Sequence, residues 1–327
     1  MTTIEKKEEG EEGEEEAEYD ISAISYENGI INIKSILAFD ISTRHDNDKN
    51  NKTRENVVGA CINNKIPVGY FDLMPNWYNL QQSIFNFIDQ LSGAPYERVA
   101  CIHKAGRKHN YDFGLELLYK DGVSKSFKVE LKFNASSISK APQFVSPMKP
   151  SQYLINKNGL SYEDYYYDNY LPPLLHTVGL PIPDKSTYLA QIHSNSPACM
   201  KESQELYYKG CKPSSKFTKN PEDINFYTLA NKLSRESIQS FIQETELDST
   251  LLSKYLMKTQ QDKVYMLYHN KTFILQHNNM DDYVIDTVTK NDTKFRYECT
   301  SKNGKKMNVL LRWKNGCGIA FPAFQIS

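Results

Sequence analysis

Polar and apolar residues along the chain change period several times, and each change marks an element. "GIINIKSILAFDI" (29–41) alternates with period two and predicts a strand, while the polar "RHDNDKNNKTREN" (44–56) after it predicts an exposed loop. In "NWYNLQQSIFNFIDQL", Leu80, Ile84, Phe87 and Leu91 recur at helical spacing, which predicts an amphipathic helix over 76–91. Three strand-like runs come next. "ERVACIHK" is one, and the other two are the arms of "YDFGLELLYKDGVSKSFKVELKF" (111–133), where Asp121-Gly122 between alternating arms predicts a hairpin.

Beyond residue 141, repeated prolines and the cluster "YEDYYYDNYLPP" predict an irregular but ordered segment. "DINFYTLANKLSRESIQSFIQETE" predicts a long helix over 223–246, and a shorter one follows from Leu251 to Gln260. From Lys263 onward the period returns to two, with a second hairpin tip at Asn303-Gly304. The pattern predicts an α/β core embellished by helices and closed by a C-terminal antiparallel β segment. Its divisions are a tail over 1–20, the α/β core with its Tyr/Pro-rich segment over 21–222, a helical segment over 223–262 and the β segment over 263–327.

At 327 residues the chain is long enough to bury a sizeable core. No run approaches the roughly eighteen apolar residues of a membrane span, and the N-terminus lacks the apolar stretch of a signal peptide. An intracellular protein without membrane contact is expected, whether of nucleus, cytoplasm or virion. The six cysteines are scattered without a CxxC pair, which predicts reduced thiols and no zinc site.

The net charge of -1 conceals an asymmetry. Residues 1–20 hold ten acids and two lysines, leaving 37 bases against 30 acids for the rest. A glutamate block of this kind cannot bury enough surface to offset its ordering entropy and is expected to be disordered. It reads as a solubilising tail or as a polyanion competing with nucleic acid for a basic body.

The charges inside the 111–133 hairpin carry the chemistry. Glu130 and Lys132 are two apart on one arm and share a face, and a symmetric turn at Asp121-Gly122 brings Asp112 close to both. Two converging carboxylates repel unless a cation separates them, and the hard cation for an all-oxygen site is Mg²⁺, with Mn²⁺ an alternative. The Leu131 carbonyl is a further candidate oxygen ligand. A lysine beside such a site orients a water and stabilises charge on a phosphate, so the set suits phosphodiester hydrolysis.

Helix, strand, strand beginning with Asp, Asp-Gly hairpin and then "VELKF" resembles the core of the PD-(D/E)XK nuclease superfamily over roughly 76–150. The resemblance implies a restriction-endonuclease-like fold, a mixed sheet flanked by helices, with Asp112, Glu130 and Lys132 as the motif residues. Tyr111 stands where the family name has proline. The resemblance also implies an acid on the first core helix, for which Asp89 is the candidate and Glu97 a rival. It implies a Gln or Lys at the start of the second core helix, for which Gln143 or Lys140 is the candidate. The Asn, Lys, Tyr and Ile bias is that of an AT-rich genome, such as a protist or a large DNA virus.

Lys104, Arg107 and Lys108 lead into the hairpin, and Lys294–Lys314 holds seven bases and one acid, including Lys305, Lys306, Arg312 and Lys314. Both are candidate DNA-backbone contacts. The expected activity is that of a Mg²⁺-dependent restriction- or repair-type endonuclease on duplex DNA, as a homodimer if both strands are cut. A solvated surface hairpin, an inactive nuclease fold that binds nucleic acid, and a structural or interaction protein remain open at this point.

Overall fold

The computed structural model describes residues 22–40, 47–104, 109–140, 143–144 and 149–327. The acidic tail, Arg107 and Lys108 lie outside them. A small hairpin comes first, β1 (Ile24–Tyr26) and β2 (Gly29–Ile31). The strand expected to continue past it is instead a 3-10 helix, Ile33–Phe39. Asn32 caps it, accepting from the Lys34 amide at 3.0 Å, while the Ser35 hydroxyl accepts from the Asn32 amide at 3.0 Å. This reciprocal cap overrides the alternation.

Of the polar stretch expected to be a loop, residues 44–46 lie outside the described residues and 47–56 belong to α1 (Asn47–Ile62). Its first turns are polar and its last buries Val57, Val58, Ala60, Cys61 and Ile62, so a window ending at residue 56 sees no apolar face. Then come α2 (Val68–Leu73) and α3 (Pro75–Ser92), the latter matching the predicted amphipathic helix and burying all four predicted positions.

Next, β3 (Tyr96–His103), β4 (Phe113–Tyr119) and β5 (Ser124–Phe133) form an antiparallel meander about the predicted turn. Beyond it run β6 (Gln143–Phe144), β7 (Leu154–Asn156), α4 (Tyr162–Asn169), α5 (Leu171–His176), α6 (Lys185–Gln191), α7 (Lys201–Gly210), α8 (Pro221–Gln243), β8 (Thr245–Leu247) and α9 (Ser249–Gln260). The chain ends with β9 (Lys263–His269), β10 (Thr272–His277), β11 (Ile285–Asn291), β12 (Arg296–Ser301), β13 (Lys306–Trp313) and β14 (Pro322–Ile326).

These strands make two five-stranded sheets, ordered β10-β9-β5-β4-β3 and β11-β12-β13-β14-β6. The second is antiparallel throughout, as the C-terminal pattern predicts. The first is mixed, because β9 lies parallel to β5, with Lys128 opposite Lys263 and Glu130 opposite Tyr265. The segment over 263–327 is therefore divided between sheets rather than forming one antiparallel unit. The signal lies in "KVYMLY", buried at every position from 263 to 268, the mark of a strand covered on both faces.

One core fills the space between α1, α3 and one face of the mixed sheet, around Trp77, Phe87, Phe113, Val129 and Met266. The other joins α4–α9 to the second sheet. Tyrosines expected in an irregular segment are the ridge of α4 here. Tyr162 and Tyr166 lie one turn apart, both buried, with their rings 5.6 and 5.0 Å from Trp313, whose indole donates to the Tyr162 hydroxyl at 3.0 Å. The Tyr166 hydroxyl presses so close to Gly318, at φ 75, that no β-carbon fits there.

Phe113 is fully buried between the site strand and α1. Phe113→Ala should destabilise the protein by about 3–5 kcal/mol, while Ile274→Ala, at an exposed sheet position, should stay within about 0.5 kcal/mol of wild type. Urea unfolding of the two variants measures the contrast.

Candidate active site

Strand β4 ends where β5 runs on, and the site is built at that step. Phe113 pairs with Val129, and Asp112, just before β4, lies beside the stretch Val129–Leu131 of β5. The Asp112 amide donates to the Val129 carbonyl at 3.0 Å. Its Oδ2 accepts from the Leu131 amide at 2.8 Å, taking the place of the ladder bond that β4 no longer supplies. Val129 packs into the α1–α3 core, which turns Glu130 and Lys132 to the opposite face.

Two ammonium groups converge on Glu130. Lys132 pairs with its Oε1, and Lys263 Nζ reaches Oε2 at 2.7 Å. Lys263 also donates to the Asn110 carbonyl at 2.9 Å and is only 4 % exposed. It arrives on β9, 133 residues along the chain from Glu130. Nothing in the spacing of the sequence pointed to it, although a lysine opening an otherwise apolar buried strand is itself an anomaly that asks for a partner.

A third acid enters from α1. Glu55 Oε2 lies 3.3 Å from His103 Nε2 at the end of β3, and its charge acts on both Asp112 and Lys132. Arg54 next to it anchors the helix. The Arg54 guanidinium lies 3.4 Å over the Phe133 ring and donates to the Ala38 carbonyl at 2.8 Å, tying α1 to the residue after Lys132. Asp89 and Glu97, the two candidates for a first-helix acid, lie away from this group. Asp89 bonds with Tyr96, which pairs with Tyr119 at the far end of the meander, and Glu97 follows Tyr96 there. Reading 44–56 as a loop hid Glu55.

The electrostatics divide the two motif acids. Burial alone would raise Glu130, but Lys132 and Lys263 hold it below the usual range. Asp112 has no such relief. Burial first, then Glu130 and Glu55, push it up to about 7, against which Lys132 and the Leu131 amide act only partly. Burial would lower Lys132, yet Glu130 raises it; for Lys263 burial wins and its pKa falls. His103 is raised by its bond to Glu55 against the effect of burial.

The remaining predicted residues are less gathered. Lys104 joins the site region through its backbone, its amide donating to the Asp112 carbonyl at 2.8 Å. Gln143 sits in β6 opposite Ile326, in the second sheet rather than at a helix start, and Lys140 ends the 3-10 turn Ile138–Lys140. Lys305 pairs with Asp282 at 3.2 Å, and Arg312 donates to Gln325 at 2.7 Å. Lys306 is exposed, and Lys314 lies 5.8 Å over the Phe321 ring. Trp313, between Arg312 and Lys314, is a buried core residue.

No protein-family model, curated protein or solved structure gives a significant match to this chain. Among the described residues, no three His, Cys, Asp or Glu side chains stand together as a ligand set. The donors fit a hard cation in kind, and the charge leaves room for one at Asp112: its pKa is raised by two neighbouring carboxylates while both ammonium groups serve Glu130.

The raised Asp112 pKa has a definite sign in stability. Between its ordinary value of 3.8 and about 7, the folded protein keeps a proton that the unfolded chain has released. The contribution of this group is therefore present at low pH and lost as pH rises toward 7. His103, also raised, acts in the same direction. Asp112→Asn should raise the metal-free melting temperature more at pH 8 than at pH 5, and thermal melts of both proteins across that range isolate the Asp112 share.

Proposed function

We propose that this chain is a Mg²⁺-dependent DNA nuclease of the PD-(D/E)XK type, with Mn²⁺ able to substitute. The observation that carries the reading is that the Asp112 carboxylate accepts from the amide of Leu131, the residue between Glu130 and Lys132, and lies within reach of the charges of both. A restriction-endonuclease-like core is the finer reading of the fold. In support stand the β3-β4-β5 meander behind α1 and α3 and the parallel strand β9, reached through a crossover that ends in α9.

Asp112 and Glu130 would hold the cation, with the Leu131 carbonyl, and a cation bound there supplies Lewis-acid stabilisation of charge on the phosphate. The chain's own groups do the rest. Lys132 orients the attacking water and donates to a phosphate oxygen as negative charge builds on it. Lys263, buried behind Glu130, keeps that carboxylate ionised and in place. Lys104 and the basic residues leading into Asp112 hold the phosphate backbone near the chemistry.

One observation favours a second reading. Both oxygens of Glu130 already carry an ammonium group, an arrangement that satisfies the carboxylate without a metal and suits an inactive nuclease fold that binds nucleic acid. Activity separates the two. Purified protein with Mg²⁺ or Mn²⁺ should nick plasmid DNA, and Asp112→Ala or Lys132→Ala should lower the rate by about 10²-fold or more with the fold retained by circular dichroism. DNA binding without cleavage under several metals favours the inactive fold, and neither binding nor cleavage removes both.

A further inference from the structure

Beside the acids lies a cleft of about 530 Å³ between the β1–β2 hairpin and α1. Its lining includes the Glu55–His103 pair; His103 pairs with Phe113, the residue after Asp112, and the Lys104 amide next to it donates to the Asp112 carbonyl at 2.8 Å. The hairpin wall presents Asn28 and Ile30, the latter 70 % exposed, and the helix wall presents Lys52 and Asn56. Gly29 sets how near the two walls come, since a β-carbon there would fall 2.4 Å from Asn56 Nδ2.

We propose that this cleft receives one unpaired nucleotide of the substrate strand, base inward, next to the phosphate that the site hydrolyses. The assignment rests on the nuclease reading and names its substrate class. The volume lies within the roughly 300–1,000 Å³ of small-ligand sites, which is room for a single nucleotide. Two side-chain amides match the mixed donors and acceptors of a base edge, and an exposed isoleucine offers an apolar surface to a base face.

Charge decides which end of the nucleotide enters. Among the described residues of its lining, Glu27 and Glu55 offset Lys52 and the Glu55-paired His103, so these walls carry no excess of positive charge to draw in a phosphate. The sugar-phosphate backbone stays at the mouth. A base held between two walls has its pairing edge engaged by protein and cannot at the same time be paired in a duplex. The substrate strand is therefore unpaired where it is cut, as in a single strand, a flap, a frayed end or the locally unwound stretches of a supercoiled plasmid, and not in relaxed, fully paired duplex.

The test uses the full chain, a fluorescein-labelled single-stranded oligonucleotide of mixed sequence and its blunt duplex, with Ca²⁺ replacing Mg²⁺ and anisotropy as readout. Wild type should bind the single strand about tenfold more tightly than the duplex. Asn28→Trp, which fills the cleft, and Ile30→Asp, which removes its apolar surface, should each weaken single-strand binding about tenfold, the worth of one base contact, and leave duplex binding unchanged. Both positions are exposed, so folding is retained, and melting curves check it. Equal affinity for the two DNAs, no binding of either, or wild-type affinity in both variants overturns the assignment. Plasmid nicking with unaltered single-strand binding in the variants leaves the nuclease reading standing and this one refuted. Cleft-dependent binding without cleavage under Mg²⁺ or Mn²⁺ refutes the nuclease reading and, with it, the placing of this nucleotide beside a hydrolysed phosphate.

Discussion

The buried carboxylate of Glu130 is the constraint to which the rest of the site answers. An ionised carboxylate out of water is costly unless it is paired, and one lysine two residues along its own strand supplies half of what it needs. The other half comes from Lys263, which must reach it from β9. That requirement fixes the parallel register as firmly as apolar packing does. A slip of one residue would turn Lys263 to the helix-covered face and leave Glu130 and the Asn110 carbonyl short of a donor.

Asp112 meets the same burden differently. It spends one oxygen on the Leu131 amide, so it serves as the end of a β ladder and as a site acid at once. Burial and the charges of Glu130 and Glu55 outweigh Lys132 at this carboxylate, so its ionised form is held at a cost at the place where chemistry would happen. Two acids on facing strands thus receive unlike treatment, one neutralised within the chain and the other left raised. The argument that converging carboxylates call for an external cation applies to Asp112 far more than to Glu130.

The hairpin was legible in the sequence because all its determinants are local. The Asp-Gly turn, the alternation on both arms and the two-residue step from Glu130 to Lys132 suffice to make Asp112 and Glu130 neighbours. Glu55 was hidden by composition, since a polar helix entry looks like a loop until the buried Val57 and Val58 are counted with it. Lys263 was hidden by distance, as no periodicity reports which remote strand will lie beside β5. The C-terminal bases looked like a DNA surface from charge alone, but Arg312 has a partner in its own sheet, Lys305 pairs with Asp282, and Trp313 between Arg312 and Lys314 fills a core.

The 133 residues between Glu130 and Lys263 also set an order of assembly. A hairpin closes quickly because its contacts are near in sequence, whereas pairing across a long crossover waits for the intervening helices and the return of the chain. On the ribosome, Asp112, Glu130 and Lys132 emerge and meet early, in water, where the charges are cheap. Burial of Glu130 becomes tolerable only when β9 is added. The second lysine therefore acts as a completion signal: the acids are withdrawn from solvent and given their final electrostatic character only once β9 has been made and added to the sheet.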